Sequence, residues 1–592
     1  PSTAVRPTAE PVAAAPTQHP EINRQEKIED FEEVAEIRTL LLLFQALKVE
    51  NPYWSNLSGV ARDVVEAKGA SLINFATYNY LGLSGDERVN AAAIDAIKQY
   101  GTSASASRVA SGDRPVHRAL ESAIANFLGC EQSLVFASGH ATNVTVLSTL
   151  CERPDLILHD SLAHNSIVLG AQLSGARRVV FPHNDLDTLE RLLRELRGSA
   201  RRALIAVEGV YSMDGDLAPL TDLITLKKRY GALLYVDEAH SLGCIGDTGR
   251  GIGEQAGVVR SDVDVWMGTL SKALASCGGY IAGSRALIDF LKYRAGGFVY
   301  AVAISPQNAA AALEALRILT AEPFRVTALR DRAALFLELC RARGIDTGAS
   351  AGTAIVPAIV GTSVRCVQVA DSLRRRGIHV PPIFYPAVEE GRARLRFFLS
   401  TLHSEAQLRQ AADSLAEALR EHPAARSSPA IAAQTISAPR IEPRPTPSRE
   451  FRRVFVTGGS GFIGSRVVRE LVSRGCEVRC LLRTTSKIHR LAGLRYEVCR
   501  GDLADLAALQ AGAAGCDAVI HLACASAWSE LRALGRSIHS IAVDGTRNVL
   551  EAGQRAGVRR FVHVSSTAVY GIPDHHPLLE TDKLDGVGPY GK

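Results

Sequence analysis

Short apolar runs alternate with longer amphipathic stretches through the middle of the chain, from about residue 74 to residue 304. The clearest apolar runs are residues 134–136, 156–158, 179–181 and 203–207. Buried strands that alternate with helical patterns are typical of β-α-β units, which build a parallel sheet covered by helices. We therefore expect a large α/β domain over residues 74–304.

The pattern changes on both sides of this domain. Residues 23–73 are predicted to be an N-terminal helical arm, and residues 305–420 a smaller α+β domain of long helices around the strand candidate 354–360. A further α/β unit is expected over residues 451–592, which open with an apolar run. Two proline- and alanine-rich segments, residues 1–22 and 421–450, are expected to be linkers, the first of them disordered.

Bulk composition limits the classes of function. A chain of 592 residues is too long for one core, so several domains are expected. The net charge of +5 is small and not concentrated, which argues against a nucleic-acid partner. The eleven cysteines lack metal-ligand spacing and indicate reduced thiols, so we expect a cytoplasmic protein. The apolar run 40–44 is far below the ~20 residues of a membrane span. Because the sequence begins at Pro1, we expect it to be a segment of a longer protein.

Two short segments carry the strongest chemical signal. Asp237 directly follows the strand candidate 233–236, and Lys272 follows the strand candidate 263–267. Ligands of an open parallel sheet bind outside the carboxyl ends of its strands. An acid and a lysine at that edge meet the needs of pyridoxal phosphate: the lysine attaches to its aldehyde carbon, and the aspartate keeps the pyridine nitrogen protonated.

Further motifs occur in an order that resembles one family of enzymes. They are residues 79–82, 107–112, 138–143, 160–166, 208–216, 236–241, 268–273 and 393–396. On these motifs residues 50–420 resemble the α-oxoamine synthases, which are pyridoxal phosphate enzymes of fold type I. The resemblance implies a large mixed-sheet α/β domain with a smaller α+β domain.

The resemblance and the local pattern assign roles to single residues. The cofactor phosphate is expected at the start of the helix that follows residue 136, because backbone N–H groups point outward there. The resemblance places His164 on the cofactor ring, His240 at its phenolic oxygen and Arg396 at the carboxylate of the amino acid. The other residues expected to bind the cofactor are Ser138, Gly139, His140, Glu208, Ser212, Thr269 and Ser271. We expect Arg394 to be solvated and to point away from Arg396.

One position departs from the family pattern. The family carries Ser or Thr after the aromatic pair represented here by Phe298 and Tyr300, where it contacts the phosphate of the neighbouring subunit, but this chain has Ala301. That phosphate contact is therefore in doubt, whereas the resemblance still implies a homodimer.

The implied activity is decarboxylative condensation of an amino acid with an acyl thioester to give a 2-amino ketone. Similarity of residues 101–108 and 394–398 to synthase domains of assembly lines favours an acyl carrier protein as donor over coenzyme A. Glycine, alanine and serine all stay open as substrates. The alternatives are a fold-type I aminotransferase and a non-catalytic module that keeps the fold for assembly.

The last part of the chain carries a glycine-rich turn between a strand and a helix, typical of a dinucleotide-binding Rossmann domain. It resembles the extended short-chain dehydrogenase/reductases, which include epimerase-like proteins. The residues expected at the dinucleotide are Gly458, Gly461, Phe462, Ile463, Gly464, Arg483, Asp502 and Leu503. Arg483 stands where NAD-dependent relatives have an acid, so NADP is favoured over NAD.

The catalytic residues implied for this reductase are Ser565, Ser566 and Tyr590. The family pair is Tyr-x-x-x-Lys, and its lysine would be residue 594, two positions beyond Lys592. Residues 451–592 are therefore expected to bind a dinucleotide at best and not to reduce a substrate alone.

Overall fold

A computed structural model describes residues 27–385, 387–389, 391–423, 451–484, 486, 488–523 and 540–565. The chain divides into two compact units, Pro1–Ala424 and Ala425–Lys592. The predicted linker 1–22, and all but the first three residues of the predicted linker 421–450, lie outside the described residues.

The first unit alternates strands and helices along the chain. Its strands are β1 (Val64–Ala67), β2 (Ala70–Asn74), β3 (Gln132–Phe136), β4 (Leu156–Asp160), β5 (Arg177–Phe181), β6 (Ala203–Glu208), β7 (Leu233–Asp237), β8 (Val265–Thr269), β9 (Gly279–Gly283), β10 (Ile355–Gly361), β11 (Ile378–His379), β12 (Pro382–Ile383) and β13 (Ala393–Phe398). Its α-helices are α1 (Glu32–Ala46), α2 (Glu87–Tyr100), α3 (Pro115–Leu128), α4 (Gly139–Leu150), α5 (Asn165–Leu173), α6 (Leu186–Leu196), α7 (Leu220–Tyr230), α8 (Ile252–Gln255), α9 (Arg285–Arg294), α10 (Gly296–Val299), α11 (Pro306–Ala321), α12 (Phe324–Ala342), α13 (Ser363–Arg375) and α14 (Glu405–Glu421).

A seven-stranded sheet forms the centre of the large domain, in the order β3-β9-β8-β7-β6-β4-β5. The five adjacent strands β8, β7, β6, β4 and β5 run parallel to one another. Strand β9 runs antiparallel to both of its neighbours, β3 and β8. Strands β4, β6 and β8 are buried along their whole length, as expected when helices cover both faces. The predicted mixed-sheet α/β fold is confirmed, and six strands, all except β9, run in the same direction and end at one edge.

The N-terminal arm differs from the prediction, because it is helical only as far as Ala46. Strands β1 and β2 form a hairpin whose turn residues, Lys68 and Gly69, have φ angles of 52° and 79°. Positive φ at both turn positions matches the twist of paired strands. These strands are four and five residues long and half-exposed, so their apolar pattern is weak. Strand β2 continues the pairing with β11, which ties the arm to the small domain.

The small domain carries a second sheet, in which β13 lies between β10 and β12 and is antiparallel to both. Helices α12, α13 and α14 bury apolar side chains in the same hydrophobic core as β10 and β13. This arrangement agrees with the predicted α+β domain: β13 is paired along its whole length with β10, and Arg394 and Leu395 are also paired with β12.

The second unit is a five-stranded parallel sheet with helices. Its strands are β14 (Arg453–Thr457), β15 (Glu477–Leu482), β16 (Glu497–Arg500), β17 (Ala518–His521) and β18 (Arg560–His563), and its α-helices are α15 (Phe462–Ser473), α16 (Leu506–Ala513) and α17 (Gly545–Arg555). The order β16-β15-β14-β17-β18 reverses at β14, as in the doubly wound dinucleotide-binding fold. Across the described parts of both units, no helix is long and apolar enough to cross a bilayer.

Candidate active site

The site lies at the carboxyl ends of the parallel strands of the large domain. Strand β7 ends at Asp237, which is in register with Glu208 at the end of β6 and with Met267 on β8. Lys272 follows three residues after β8 ends. The sheet order therefore brings the predicted acid and lysine to the carboxyl ends of neighbouring strands, at the edge that the sequence indicated.

Lys272 is hydrogen-bonded to a buried imidazole. Its Nζ atom lies 2.9 Å from Nε2 of His240, and Nδ1 of His240 lies 2.8 Å from the hydroxyl of Tyr80. The ammonium also lies 5.5 Å from the centre of the Tyr78 ring. Tyr78 and Tyr80 have no role in the sequence-based prediction, although Tyr80 lies within a motif that carries the resemblance.

The surroundings of Lys272 make its ammonium group easier to deprotonate than a free lysine. Burial lowers the pKa of Lys272 to about 8, because desolvation outweighs the attraction of the Asp237 and Glu208 carboxylates. The positive charge of Arg396 lowers the pKa further. Burial also lowers the pKa of His240 well below its ordinary value. His240 is therefore neutral near pH 7, and below about pH 8 the pair carries one positive charge, on Lys272.

Asp237 is buried and accepts two hydrogen bonds. The Nδ2 group of Asn143 donates to Oδ2 over 2.7 Å, and the backbone N–H of Ala239 donates to Oδ1 over 2.9 Å. Two donors hold the carboxylate in one orientation. Asn143 lies within a motif that carries the resemblance, but the sequence did not indicate this contact.

His164 caps the start of α5 and lies near Asp237 and Lys272. Its Nδ1 atom is 2.7 Å from the hydroxyl of Ser166. Burial lowers the pKa of His164, and the nearby charge of Asp237 only partly opposes this. His164 is therefore a neutral ring among charged groups, while the ring of His140 is exposed and lies 6.2 Å from that of His164.

The predicted phosphate-binding end is built from α4 and the residues after β8. Ser138 caps α4 by accepting a hydrogen bond from the N–H of Ala141. A Cβ atom on Gly139 would lie 2.7 Å from Oγ1 of Thr269, so glycine allows this close approach. Oγ1 of Thr269 is 3.1 Å from Oγ of Ser271. One helix N-terminus and two hydroxyl groups thus meet at one place, which suits an anion.

Arg396 extends from β13 towards the loop after β6. Its Nη1 donates to the carbonyl of Ser212 over 2.8 Å, and its guanidinium lies 4.7 Å from the ring centre of Phe398. The Nε atom is buried without a hydrogen-bond partner among the described residues. A buried, unpartnered donor of a permanent cation is suited to bind a carboxylate.

Glu208 and Ser212 lie on the same side of the sheet. The carboxylate of Glu208 accepts a hydrogen bond from the N–H of Ser212, and its other oxygen is buried without a partner in the described structure. Burial and the adjacent Asp237 raise the pKa of Glu208 to about 8.

The expectation for Arg394 was wrong. Arg394 is buried and its Nη1 lies 2.5 Å from Oδ1 of Asp214, next to the segment that Arg396 contacts. Residues two apart on a strand share a face. Arg394 and Arg396 therefore both extend towards residues 212–214, and Arg394 holds that loop rather than facing solvent.

A half-buried imidazole joins two loops of the site and was not predicted. His183 contacts Asp160 at 3.0 Å through Nδ1 and Asp216 at 2.8 Å through Nε2. Burial lowers the pKa of His183, but both carboxylates more than reverse this and raise it to about 10. The imidazolium thus bridges the loop that leads to His164 and the loop that carries Ser212.

These residues fit pyridoxal phosphate. The site offers an amine for the aldehyde, a buried carboxylate for the ring nitrogen and an anion-binding helix end for the phosphate. The unpartnered donor of Arg396 leaves a place for the carboxylate of a substrate. Beside Lys272 lies a cavity of about 390 Å³, and its lining residues are Leu57, Gly59, Ala61, Val65, Asn74, Ala76, Thr77, Tyr78, Asn79, Ser84, Ser271, Lys272, Ala275 and Ser276.

The second unit has its own candidate site, at the turn between β14 and α15. A Cβ atom on Gly464 would lie 2.1 Å from the carbonyl oxygen of Gly458, so only glycine allows this tight turn. Gly461 caps α15, and Ile463 is exposed in its first turn. The position of the turn at the carboxyl end of β14 suits a pyrophosphate.

The other predicted residues that the structure describes follow strands β15, β16 and β18. Arg483 follows directly after β15, and Oδ1 of Asp502 accepts a hydrogen bond from the N–H of Ala504. Leu503 is buried, and Ser565 lies two residues after β18. Ser566 and Tyr590 lie outside the described residues, as does the side chain of Phe462. The roles of all these residues towards a dinucleotide remain predictions.

Comparison with known proteins agrees with both units. Residues 70–415 match the sequence profile of the aminotransferase class I and II family, and residues 454–592 match that of the NAD dependent epimerase/dehydratase family. The 8-amino-7-oxononanoate synthase of Geobacter sulfurreducens is 42% identical over 383 residues, which cover 64% of this chain and 97% of that protein. The enzyme of the same name from an Anaeromyxobacter species is 43% identical over 362 residues, covering 61% of this chain and 90% of that protein.

A solved structure gives the same result. The serine palmitoyltransferase of Sphingomonas wittichii superposes with a TM-score of 0.64 at 31% identity, and the match covers 67% of this chain and 99% of that one. Both named enzymes are α-oxoamine synthases. The chain therefore belongs to the class I and II aminotransferase family, and its residues 70–415 are a pyridoxal-phosphate-dependent acyltransferase of the α-oxoamine synthase type.

Proposed function

We propose that residues 70–415 catalyse the decarboxylative condensation of an amino acid with an acyl thioester. A bond forms between the α-carbon of the amino acid and the acyl carbon, and the acyl carbon–sulfur bond breaks. The thiol leaves with one proton, the carboxylate leaves as carbon dioxide, and the product is a 2-amino ketone. The observation that carries the proposal is the presence in one site of the Lys272 amine and the unpartnered Nε of Arg396.

The side chains of the site divide the work of this reaction. Pyridoxal phosphate, when bound, supplies a ring that withdraws electrons from the α-carbon. Asp237, held by two donors, is suited to keep a proton on the ring nitrogen. With a pKa of about 8, Nζ of Lys272 can take the α-proton near neutral pH. Arg396 binds the substrate carboxylate until it is lost.

The preferred acyl donor is an acyl carrier protein rather than coenzyme A. Support comes from the similarity of residues 101–108 and 394–398 to synthase domains of assembly lines, and from the presence of a second unit on the same chain. The cavity beside Lys272 gives room for an acyl group next to the amine.

The second unit is proposed to bind NADP and to belong to a reductase that converts the amino ketone to an amino alcohol. Ser565, Ser566 and Tyr590 are its candidate catalytic residues. Arg483 is the candidate partner of the 2′-phosphate, since it follows β15 directly. Replacement of Arg483 by Gln should weaken the binding of NADPH about ten-fold and leave that of NADH nearly unchanged. Equal weakening of the binding of NADPH and NADH would show that Arg483 does not bind the 2′-phosphate.

A direct experiment tests the condensation and its donor. The cofactor-loaded chain is incubated with glycine, alanine or serine, together with the same acyl group on coenzyme A or on a carrier protein. Mass spectrometry should detect a 2-amino ketone, formed faster from the carrier-bound acyl group, and Lys272→Ala serves as the inactive control. A 2-oxo acid without thiol release would indicate an aminotransferase, and no turnover of any amino acid would indicate a non-catalytic module.

The protein is also proposed to be a homodimer. Large side chains near α9 and α10 are exposed in the single chain, Tyr293 at 82% and Tyr300 at 89%. Exposed aromatic residues of this size are common in subunit interfaces. Sedimentation velocity should give twice the mass of one chain, and Tyr300→Glu should lower it.

A further inference from the structure

Asn143 lies at the centre of a chain of buried hydrogen bonds behind the site. Its Oδ1 accepts from the hydroxyl of Tyr235 over 2.6 Å, and its Nδ2 donates to Asp237 over 2.7 Å and to the hydroxyl of Ser166 over 2.9 Å. The hydroxyl of Ser166 continues to Nδ1 of His164 over 2.7 Å. One amide thus links the two groups that are expected to hold the cofactor ring.

The orientation of this amide is determined by its neighbours. A flipped amide would place Oδ1 against the carboxylate of Asp237, so that two acceptors would face each other. Burial raises the pKa of Tyr235 well above its ordinary value, so its hydroxyl stays protonated and can donate. Both Nδ2 protons are therefore used, one for Asp237 and one for Ser166.

The backbone of Asn143 is equally well held. Asn143 lies on α4, whose first turn forms the predicted phosphate-binding end, and Ser166 lies on α5. A Cβ atom on Gly170 of α5 would lie 2.8 Å from the carbonyl oxygen of Asn143, so the two helices pack closely at this point. Helix α4 therefore positions two features of the site: the phosphate-binding end at its start, and the Asn143 amide behind the expected position of the ring.

We propose that Asn143 is a positioning residue, which sets Asp237 and His164 in register with the phosphate-binding end of α4. The proposal rests on the proposed pyridoxal phosphate chemistry of this site. Asn143 acts through Asp237 and Ser166 and needs no contact with the cofactor. Without it, Asp237 loses one of its two donors and the hydroxyl of Ser166 loses the bond that orients it towards His164.

The test uses the whole chain without substrates. Asn143→Leu removes the amide at similar size, Tyr235→Phe removes only the hydroxyl that orients it, and Ser148→Ala is the matched control. Ser148 lies on the same helix, and its hydroxyl donates to the carbonyl of Val144 within that helix. For each variant, the dissociation constant of pyridoxal phosphate and the visible circular dichroism of the bound cofactor are measured, with urea unfolding as a check of the fold.

Asn143→Leu should raise the dissociation constant about ten-fold or more, because a hydrogen bond to a charged group is lost. It should also change the visible dichroism, which depends on how the ring is held. Tyr235→Phe should change the dissociation constant and the dichroism in the same direction, but by less. The dissociation constant of Ser148→Ala should stay within about two-fold of that of the unaltered protein.

Affinity within two-fold and unchanged dichroism for Asn143→Leu would overturn the proposal. If that variant does not fold, the same result for Tyr235→Phe overturns it. A protein that passes this test but releases no amino ketone would contradict the condensation alone, so the two failures are distinguishable.

Discussion

Nζ of Lys272 lies 2.9 Å from Nε2 of His240, and this imidazole is held on its other side by Tyr80. Because the pKa of each partner is lowered by burial, the pair carries one positive charge below about pH 8, on Lys272, and none above it. A larger fraction of Lys272 is therefore a neutral amine near neutral pH than would be the case for a lysine in water.

This relationship predicts a pH profile for the attachment of pyridoxal phosphate to cofactor-free protein. Only the neutral amine attacks the aldehyde, so the rate should rise through a midpoint near pH 8. Arg396→Met should move that midpoint upward, since the positive charge of Arg396 lowers the pKa of Lys272. Stopped-flow absorbance measures the rate, and Arg285→Met, at an exposed position on α9, is the control. An unshifted midpoint in Arg396→Met would show that the charge of Arg396 does not affect the pKa of Lys272.

His183→Gln should lower stability at neutral pH but not in alkali. The folded-state pKa of about 10 lies above the ordinary value of 6.5, so the charge contributes fully below pH 6.5 and its contribution is lost as pH rises through 10. The free energy of unfolding of the variant should be about 2 kcal/mol lower at pH 6.5, because the two carboxylates no longer receive hydrogen bonds from a charged donor. Urea unfolding of both proteins from pH 6 to 10.5 measures the difference. A constant difference over this range would mean that His183 is neutral.

Much of the active site was predictable because it follows the sheet. Asp237 ends β7 and Lys272 follows three residues after the neighbouring β8, and buried parallel strands give clear apolar runs in the sequence. The positions of Ser138 and Gly464 were likewise evident, since a strand, a glycine-containing turn and a helix occur in succession.

The contacts that were missed join residues far apart in the chain. His183 bridges residues 23 positions before it and 33 positions after it, and Asn143 reaches Asp237 across 94 positions. A single sequence gives the type of such residues but not their partners. Arg394 was misjudged because positions 394 and 396, two apart on a strand, share a face, whereas the prediction placed them on opposite faces. Its partner Asp214 lies 180 residues earlier in the chain.

Arg394→Met should be strongly destabilising if Arg394 holds the loop at Asp214. The change leaves a buried carboxylate without its cation, which costs about 3 kcal/mol. Chemical unfolding of the variant measures this loss, and Arg394→Met combined with Asp214→Leu should recover part of it. A single variant as stable as the unaltered protein would agree instead with a solvated arginine.

Gly464→Ala should abolish dinucleotide binding by the second unit. The added methyl group would overlap the carbonyl of Gly458, so the turn at the start of α15 must open. Fluorescence titration of the whole chain with NADPH measures binding. Ser473→Ala, at the end of the same helix, should bind normally, and normal binding by Gly464→Ala would place the dinucleotide elsewhere.

The most direct test of the central claim is a count of products from an amino acid labelled with ¹³C in its carboxyl group. The cofactor-loaded chain is supplied with that amino acid and an acyl thioester, and labelled carbon dioxide, free thiol and amino ketone are measured together. Decarboxylative condensation predicts the three in equal amounts, all absent in Lys272→Ala. Thiol release without labelled carbon dioxide, or a labelled 2-oxo acid, would contradict the assignment.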